Sequence, residues 1–432
     1  MLLRPVFAAL ALALFCAAAS AQQNVREALT LDEAVSLAVK NSPAALAAEQ
    51  DIIIARQRVS EARFMYLPQF TLSGTASKAS LEYPTVLGPE LGERFLDPAI
   101  SETLYTMRVQ GLQPLYTGGR TTNTLKLAKA AHSQARVSYE AVKAQAALGA
   151  KKAFYSLLYQ RRLLEAAGGW LKRARDFNAG LRKDAFEELE ASMLLSGLSD
   201  RARQAAKGEE AAATELLRVI SREPGYKPVL DGALEPLPVE QDLSRSLVTA
   251  METRPELRSE LYRAQMDDIA VSMAMVRRYP NVYLGASYDV NAFKLSDLGN
   301  HSVRANNWLA SLAIHLPLSY DFWTQVQQRR AQQRQGELKR LELQDKVRFE
   351  IMAAQKEALF WQDEAIKLAG ETARLKAGFE AASVSARPTM AALRALCALS
   401  ELQKKALDAV YAQLTAHARL EWARGMDFPG KH

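Results

Sequence analysis

Two stretches without a single proline, Arg120 to about Arg182 and Phe322 to about Ala386, constrain this chain more than any other feature of its sequence. Each can run as one helix of roughly 95 Å at 1.5 Å per residue. A globular sheet cannot cover such rods, so they need other helices alongside. In the second stretch Val347, Ala354, Trp361, Leu368, Leu375 and Ala382 recur every seven residues, with Ile351, Ala358 and Ala365 in the complementary position. That is the seam of a coiled coil. The first stretch is looser: Ala150, Leu157, Leu164 and Leu171 keep heptad spacing, and Gly168-Gly169 is its weak point.

The surroundings of the two stretches match. Pro43 and Pro68 are 25 residues apart, as are Pro255 and Pro280, and the two pairs are offset by 212. Thr30 and Asp242 share that offset, and both precede amphipathic runs that they can cap, Thr30 with Glu33 as a capping box. The chain therefore reads as an internal tandem repeat. The first structural repeat occupies 22–220, the second 242–428, and the Pro- and Gly-rich 221–241 links them. Each copy is expected to read helix, strand, strand, very long helix, helix.

The strands are expected at about 69–78, 103–113, 281–291 and 306–316. Phe70, Leu72, Gly74 and Ala76 alternate with Gln69, Thr71, Ser73, Thr75 and Ser77, and Tyr105, Met107, Val109 and Gly111 alternate with Thr106, Arg108 and Gln110. Val282, Leu284, Ala286, Tyr288 and Val290, then Trp308, Ala310, Leu312 and Ile314, repeat the pattern. A period of two with one apolar face marks a half-buried strand. Each run is near the length of a membrane-crossing barrel strand, and four such strands cannot close a barrel alone. The strand-to-helix junctions are expected at Pro68, Pro114, Gly118, Gly119, Pro280 and Pro317: Pro114 should end its ladder for want of an N–H, and Gly118-Gly119 should let the backbone swing into the helix. Pro317 repeats the role, with Asp321 as a cap for the second long helix.

Residues 1–21 have one early Arg, an apolar run and a small-residue Ala19-Ser20-Ala21 ending, and read as a cleaved secretory signal. Phe15 before Cys16 spoils a lipoprotein-type signal. After cleavage Cys397 is the remaining cysteine, so no intrachain disulfide is expected. No later stretch supplies the 18 or so apolar residues of a membrane helix. An exported chain then stays soluble or crosses a membrane as a β-barrel. The formal charge of +7 comes from basic residues interspersed with acids, which makes solvated helix faces and argues against nucleic acid. The histidines, His132, His301, His315, His417 and His432, are scattered, and no HExxH or P-loop occurs. No enzyme, cofactor or metal site is expected.

The opening "LTLDEAVSLAVKNSPAALAAEQDIIIARQRVSEARFMYLPQFTLSG", the "QPLYTGGR" junction and the duplicated plan together resemble the outer-membrane efflux protein (TolC) family. The resemblance implies a mixed α/β membrane protein: a homotrimer whose protomers give four strands each to one outer-membrane β-barrel, continued by a long periplasmic α-helical barrel. It implies the outer membrane of a Gram-negative bacterium, with a large periplasmic part. It further implies a passive channel-tunnel of a tripartite efflux or type I secretion system, partnered by a periplasmic adaptor (membrane fusion protein), an inner-membrane transporter and outer-membrane lipid. The rival reading is a periplasmic coiled-coil adaptor or scaffold, which one hairpin between β-rich domains would have favoured. Near the second helix turn the chain departs from the family: Ala386 stands where a Gly is usual and Ala392 where an acid is usual, while Pro388 and Thr389 fit. In the first copy Asp184, Glu187, Glu188 and Glu190 cluster. They are either a solvated helix start favoured by the dipole or, for Asp184, Glu187 and Glu188, a carboxylate ring at a periplasmic entrance that favours cations.

Overall fold

The computed structural model describes residues 28–82, 99–181, 184–226, 228–317, 320–385 and 389–426. The expected signal segment with Cys16, His432, and the Ala386 and Pro388 positions lie outside the described residues, as does most of the loop between the first two strands. The elements are α1 Leu31–Asn41, α2 Pro43–Phe64, β1 Gln69–Glu82, β2 Ala99–Tyr116, α3 Arg120–Ala179 and α4 Ala185–Val219, then α5 Leu243–Thr253, α6 Pro255–Val276, β3 Asn281–Ala292, β4 Ala305–His315, α7 Phe322–Ser385 and α8 Met390–Arg424. A short 3-10 turn, Leu295–Gly299, joins β3 to β4.

Two helices, not one, precede each strand pair. Ser42 and Arg254 are extended, with ψ of 121° and 124°, and each stands immediately before a proline. The residue before proline avoids the helical region, while proline itself suits the first helical position. The caps form as local chemistry dictates. Thr30 Oγ1 accepts the Glu33 N–H at 3.3 Å while the Glu33 carboxylate accepts the Thr30 N–H at 3.0 Å, and Asp242 accepts the Arg245 N–H at 3.1 Å.

The chain divides into two compact units that each draw on both halves of the sequence. One is built from the segment ending at Glu49, from Ser138–Leu257 and from Leu343 onward; the other from Gln50–Val137 and Arg258–Glu342. The first unit holds the apolar cores. Phe154, Leu157 and Leu158 of α3 meet Leu216 of α4 and Leu414 of α8. Val347, Ile351, Ala354 and Ala358 of α7 meet Ala250, Leu257 and Leu420. Trp170 and Ala174 meet Leu198 and Leu393. The α7 seam is buried through Ala365 except for the partly buried Trp361, but Leu375 is 46% exposed and Ala382 is exposed, so the heptad pattern outruns the packing within the chain.

The segment between the two series is pinned rather than loose. The buried Gln413 side chain accepts the Leu237 N–H at 3.1 Å and donates to the Leu237 carbonyl at 2.5 Å. Gln362 accepts the Val239 N–H at 2.9 Å, and Gln355 donates to the carbonyls of Glu240 and Gln241. Extended backbone against helices has no ladder partner, so side-chain amides supply the bonds that burial demands.

The second unit holds one antiparallel sheet in the order β1-β2-β3-β4. Its first two strands run to 14 and 18 residues, beyond the spans expected from alternation.

Candidate functional site

The sheet has two chemically distinct faces, and its register fixes both. Leu72, Val109, Tyr288 and Trp308 lie side by side in one cross-strand row, and Phe70, Gly111, Ala286 and Ala310 in the next. Phe70, Leu72, Trp308, Leu312 and Ile314 are all exposed within the chain, Trp308 at 79%. The opposite face carries the rows Ser73-Arg108-Asp289-Asn307 and Thr75-Thr106-Asn291-Ala305. There Thr106 Oγ1 donates to Asn291 Oδ1 at 2.7 Å, and Arg108 grips Asp289 with both prongs, Nε to Oδ1 at 2.7 Å and Nη2 to Oδ2 at 3.0 Å. His315 lies on this polar face, paired in register with Asn281.

The junction residues take definite roles. Pro68 and Pro280 stand immediately before β1 and β3, and Pro317 lies two residues past the end of β4. Pro114 does not end its strand, contrary to the expectation from its missing N–H. β2 continues to Tyr116, and the pairing with β3 slips between Pro114 and Tyr116. A bulge is where a strand tolerates proline. Gly118 and Gly119 have φ of 60° and 94°, and a Cβ at Gly118 would stand 2.6 Å from that of Tyr279. The turn into α3 thus needs glycine for its dihedrals and, at Gly118, for space. At the start of α7 the Asp321 carboxylate accepts the side-chain amide of Gln325, and its carbonyl accepts the Thr324 hydroxyl at 2.6 Å.

The acidic stretch opens α4. Asp184 is the N-cap, accepting the N–H groups of Phe186 and Glu187 at 2.9 and 2.8 Å, and the Glu187 carboxylate reaches back to the Asp184 N–H at 3.2 Å. Glu188 is exposed. Glu190 receives both prongs of Arg394 at 2.6 Å, which holds its carboxyl below the usual carboxylate range. Sequence reading missed Arg394 and the glutamines Gln355, Gln362 and Gln413 because their partners lie far along the chain.

Among the described residues no group of three or more His, Cys, Asp or Glu is placed to hold a metal ion, and no helix is long and apolar enough to cross a membrane. His132, His301, His315 and His417 fall on separate elements or loops. A cavity of about 260 Å³ lies among α3, α4 and α8, lined by Tyr159, Gln160, Trp170, Arg201 and Ser400 among others. Burial and the hydrogen bond to Asp408 push the Tyr159 phenol pKa up, so it stays protonated. Burial likewise pushes the Cys397 thiol up, leaving it a packing group.

A two-faced antiparallel sheet joined to very long coiled-coil helices defines the class: the fold of outer-membrane channel proteins. Within that class, residues 34–182, about a third of the chain, match the outer membrane efflux protein family. The resemblance to the TolC family is thereby shown. The open-state MtrE outer membrane channel of Neisseria gonorrhoeae superposes over 91% of this chain and 88% of its own, with 16% identity and a TM-score of 0.76. VceC, an outer membrane protein of Vibrio cholerae, covers 91% of this chain and 96% of its own at 14% identity and a TM-score of 0.73. The CmeC outer membrane channel of Campylobacter jejuni covers 92% of this chain and 86% of its own, with 16% identity and a TM-score of 0.71. No curated protein sequence matches the chain.

Proposed function

We propose that this chain is the outer-membrane channel subunit of an efflux or secretion system, passively conducting solutes delivered by a periplasmic adaptor and an inner-membrane transporter. Three copies give four strands each to one barrel, and the long helices continue it as a tunnel into the periplasm. The observation that carries the reading is the sheet. Its apolar face, with Phe70, Leu72, Trp308, Leu312 and Ile314, is exposed in the chain, and its other face is polar. That is the pattern of a wall between hydrocarbon and water.

The outer edges of β1 and β4 have no strand partner among the described residues. In hydrocarbon every backbone N–H and C=O must be paired, so such a sheet has to close, and further copies of the same chain supply the missing strands. The family match over 34–182 and the likeness to MtrE and CmeC support the same reading.

The test is extraction and sizing. The full chain is expected to leave the membrane only in detergent, as a trimer whose mobility in gels changes on heating, and to open steady conductances in planar bilayers. A stable monomer in water, without detergent, would overturn the proposal.

A further inference from the structure

We propose that the cross-strand pair Arg108–Asp289 sets the ion preference of the strand section by cancelling its own charge. The inference rests on the channel reading above, in which the polar face of the sheet lines the water-filled lumen. On that face, among residues with described side chains, Arg108 and Asp289 are the only charged groups apart from His315. The face is otherwise built of Ser, Thr, Gln, Asn and a few apolar side chains.

The geometry is that of a matched pair. Nε and Nη2 of Arg108 meet the two carboxylate oxygens of Asp289 at 2.7 and 3.0 Å, from directly paired positions on β2 and β3. A planar two-pronged grip holds the guanidinium against the wall. Asp289 is the more covered partner, its side chain 17% exposed against 48% for Arg108. With both present, three copies place no net charge in the lumen from this row. With either partner neutralised, threefold symmetry turns the survivor into a ring of like charge, and rings of charge select ions.

The measurement is the reversal potential of single channels in planar bilayers under a KCl gradient at pH 7.5. Asp289→Asn is expected to shift permeability toward anions by at least about threefold, since one unit charge exerts that factor in water on an ion about 7 Å away and the ring holds three. Arg108→Gln is expected to shift it toward cations by a similar factor. The double variant should return to the wild-type value. Each shift should fade in 1 M salt, where the screening length falls to about 3 Å from about 10 Å at 0.1 M.

Single variants that conduct with the wild-type reversal potential overturn the proposal, as does a double variant that does not return. Should a single variant fail to assemble, the exchanged pair Arg108→Asp with Asp289→Arg keeps the cross-strand attraction. It must then both assemble and show wild-type preference, or the pair is not a selectivity element. Wild-type trimers that never conduct would instead overturn the channel reading itself.

Discussion

At the scale of single residues, the chain's most demanding positions are those where one atom decides the backbone. Gly118 combines a φ of 60° with an approach that leaves 2.6 Å between any added Cβ and that of Tyr279. A left-handed conformation costs an L residue about 1–2 kcal/mol, and the overlap with Tyr279 adds to it. Gly118→Ala is therefore expected to lower thermal stability by about 2–3 kcal/mol, at the upper end of ordinary point substitutions. The steric part can be isolated. In a double-mutant cycle with Tyr279→Gly the two changes should be less damaging together than their sum by about 1 kcal/mol. Strict additivity would show that the contact contributes nothing. Gln413 makes the complementary case: fully buried, it meets both backbone groups of Leu237. Removing it leaves two orphaned polar groups, each costly to bury unpaired.

Among the elements, the strands carry the consequence. Trp308 and Ser311 lie on opposite faces of β4, Trp308 level with Tyr288 and Ser311 with Gly285. Trp308→Asp is expected to reduce trimer yield far more than Ser311→Asp, since a charge facing hydrocarbon near mid-bilayer costs up to about 2–4 kcal/mol for Lys or Arg and less for Asp. Equal yields, read from heat-modifiable bands, would mean that the apolar face does not meet lipid. Faces were legible in the sequence because the side-chain period of a strand is two and the alternation from Phe70 to Ala76 leaves one assignment. Strand ends were not: in "SKASLE" the apolar alternation changes phase, Ala79 and Leu81 standing at odd numbers where Phe70 and Leu72 stand at even ones, "AISET" has no alternation, and what extends β1 and β2 there is their pairing with each other. The bulge at Pro114 was hidden for a related reason, since a proline marks only a missing donor, and the partner strand decides whether the ladder stops or slips. Pro43 and Pro255 were visible, but the two-helix entry they create depends on Ser42 and Arg254 turning extended.

For the whole molecule, the open question is what controls entry, and the acidic start of α4 is the candidate that the sequence offered. Its cluster was legible as composition, but its division of labour was not. Asp184 and Glu187 make a reciprocal cap, Glu190 is held by Arg394, and Glu188 is left exposed. Capping and selectivity are compatible, because both backbone N–H groups bind Oδ1 of the exposed Asp184 and the cap does not use Oδ2. The substitutions Asp184→Asn, Glu187→Gln and Glu188→Gln separate the two roles. Asn is as good an N-cap as Asp, and Gln serves in a capping box as Glu does, so the helix start is expected to survive. The charge is not. If the carboxylates ring the periplasmic entrance of a trimer, the triple variant should assemble normally yet lose cation preference in a planar bilayer, most clearly in low salt. Unchanged reversal potential and conductance, with trimers intact, would leave the cluster as a helix cap and place the entry control elsewhere.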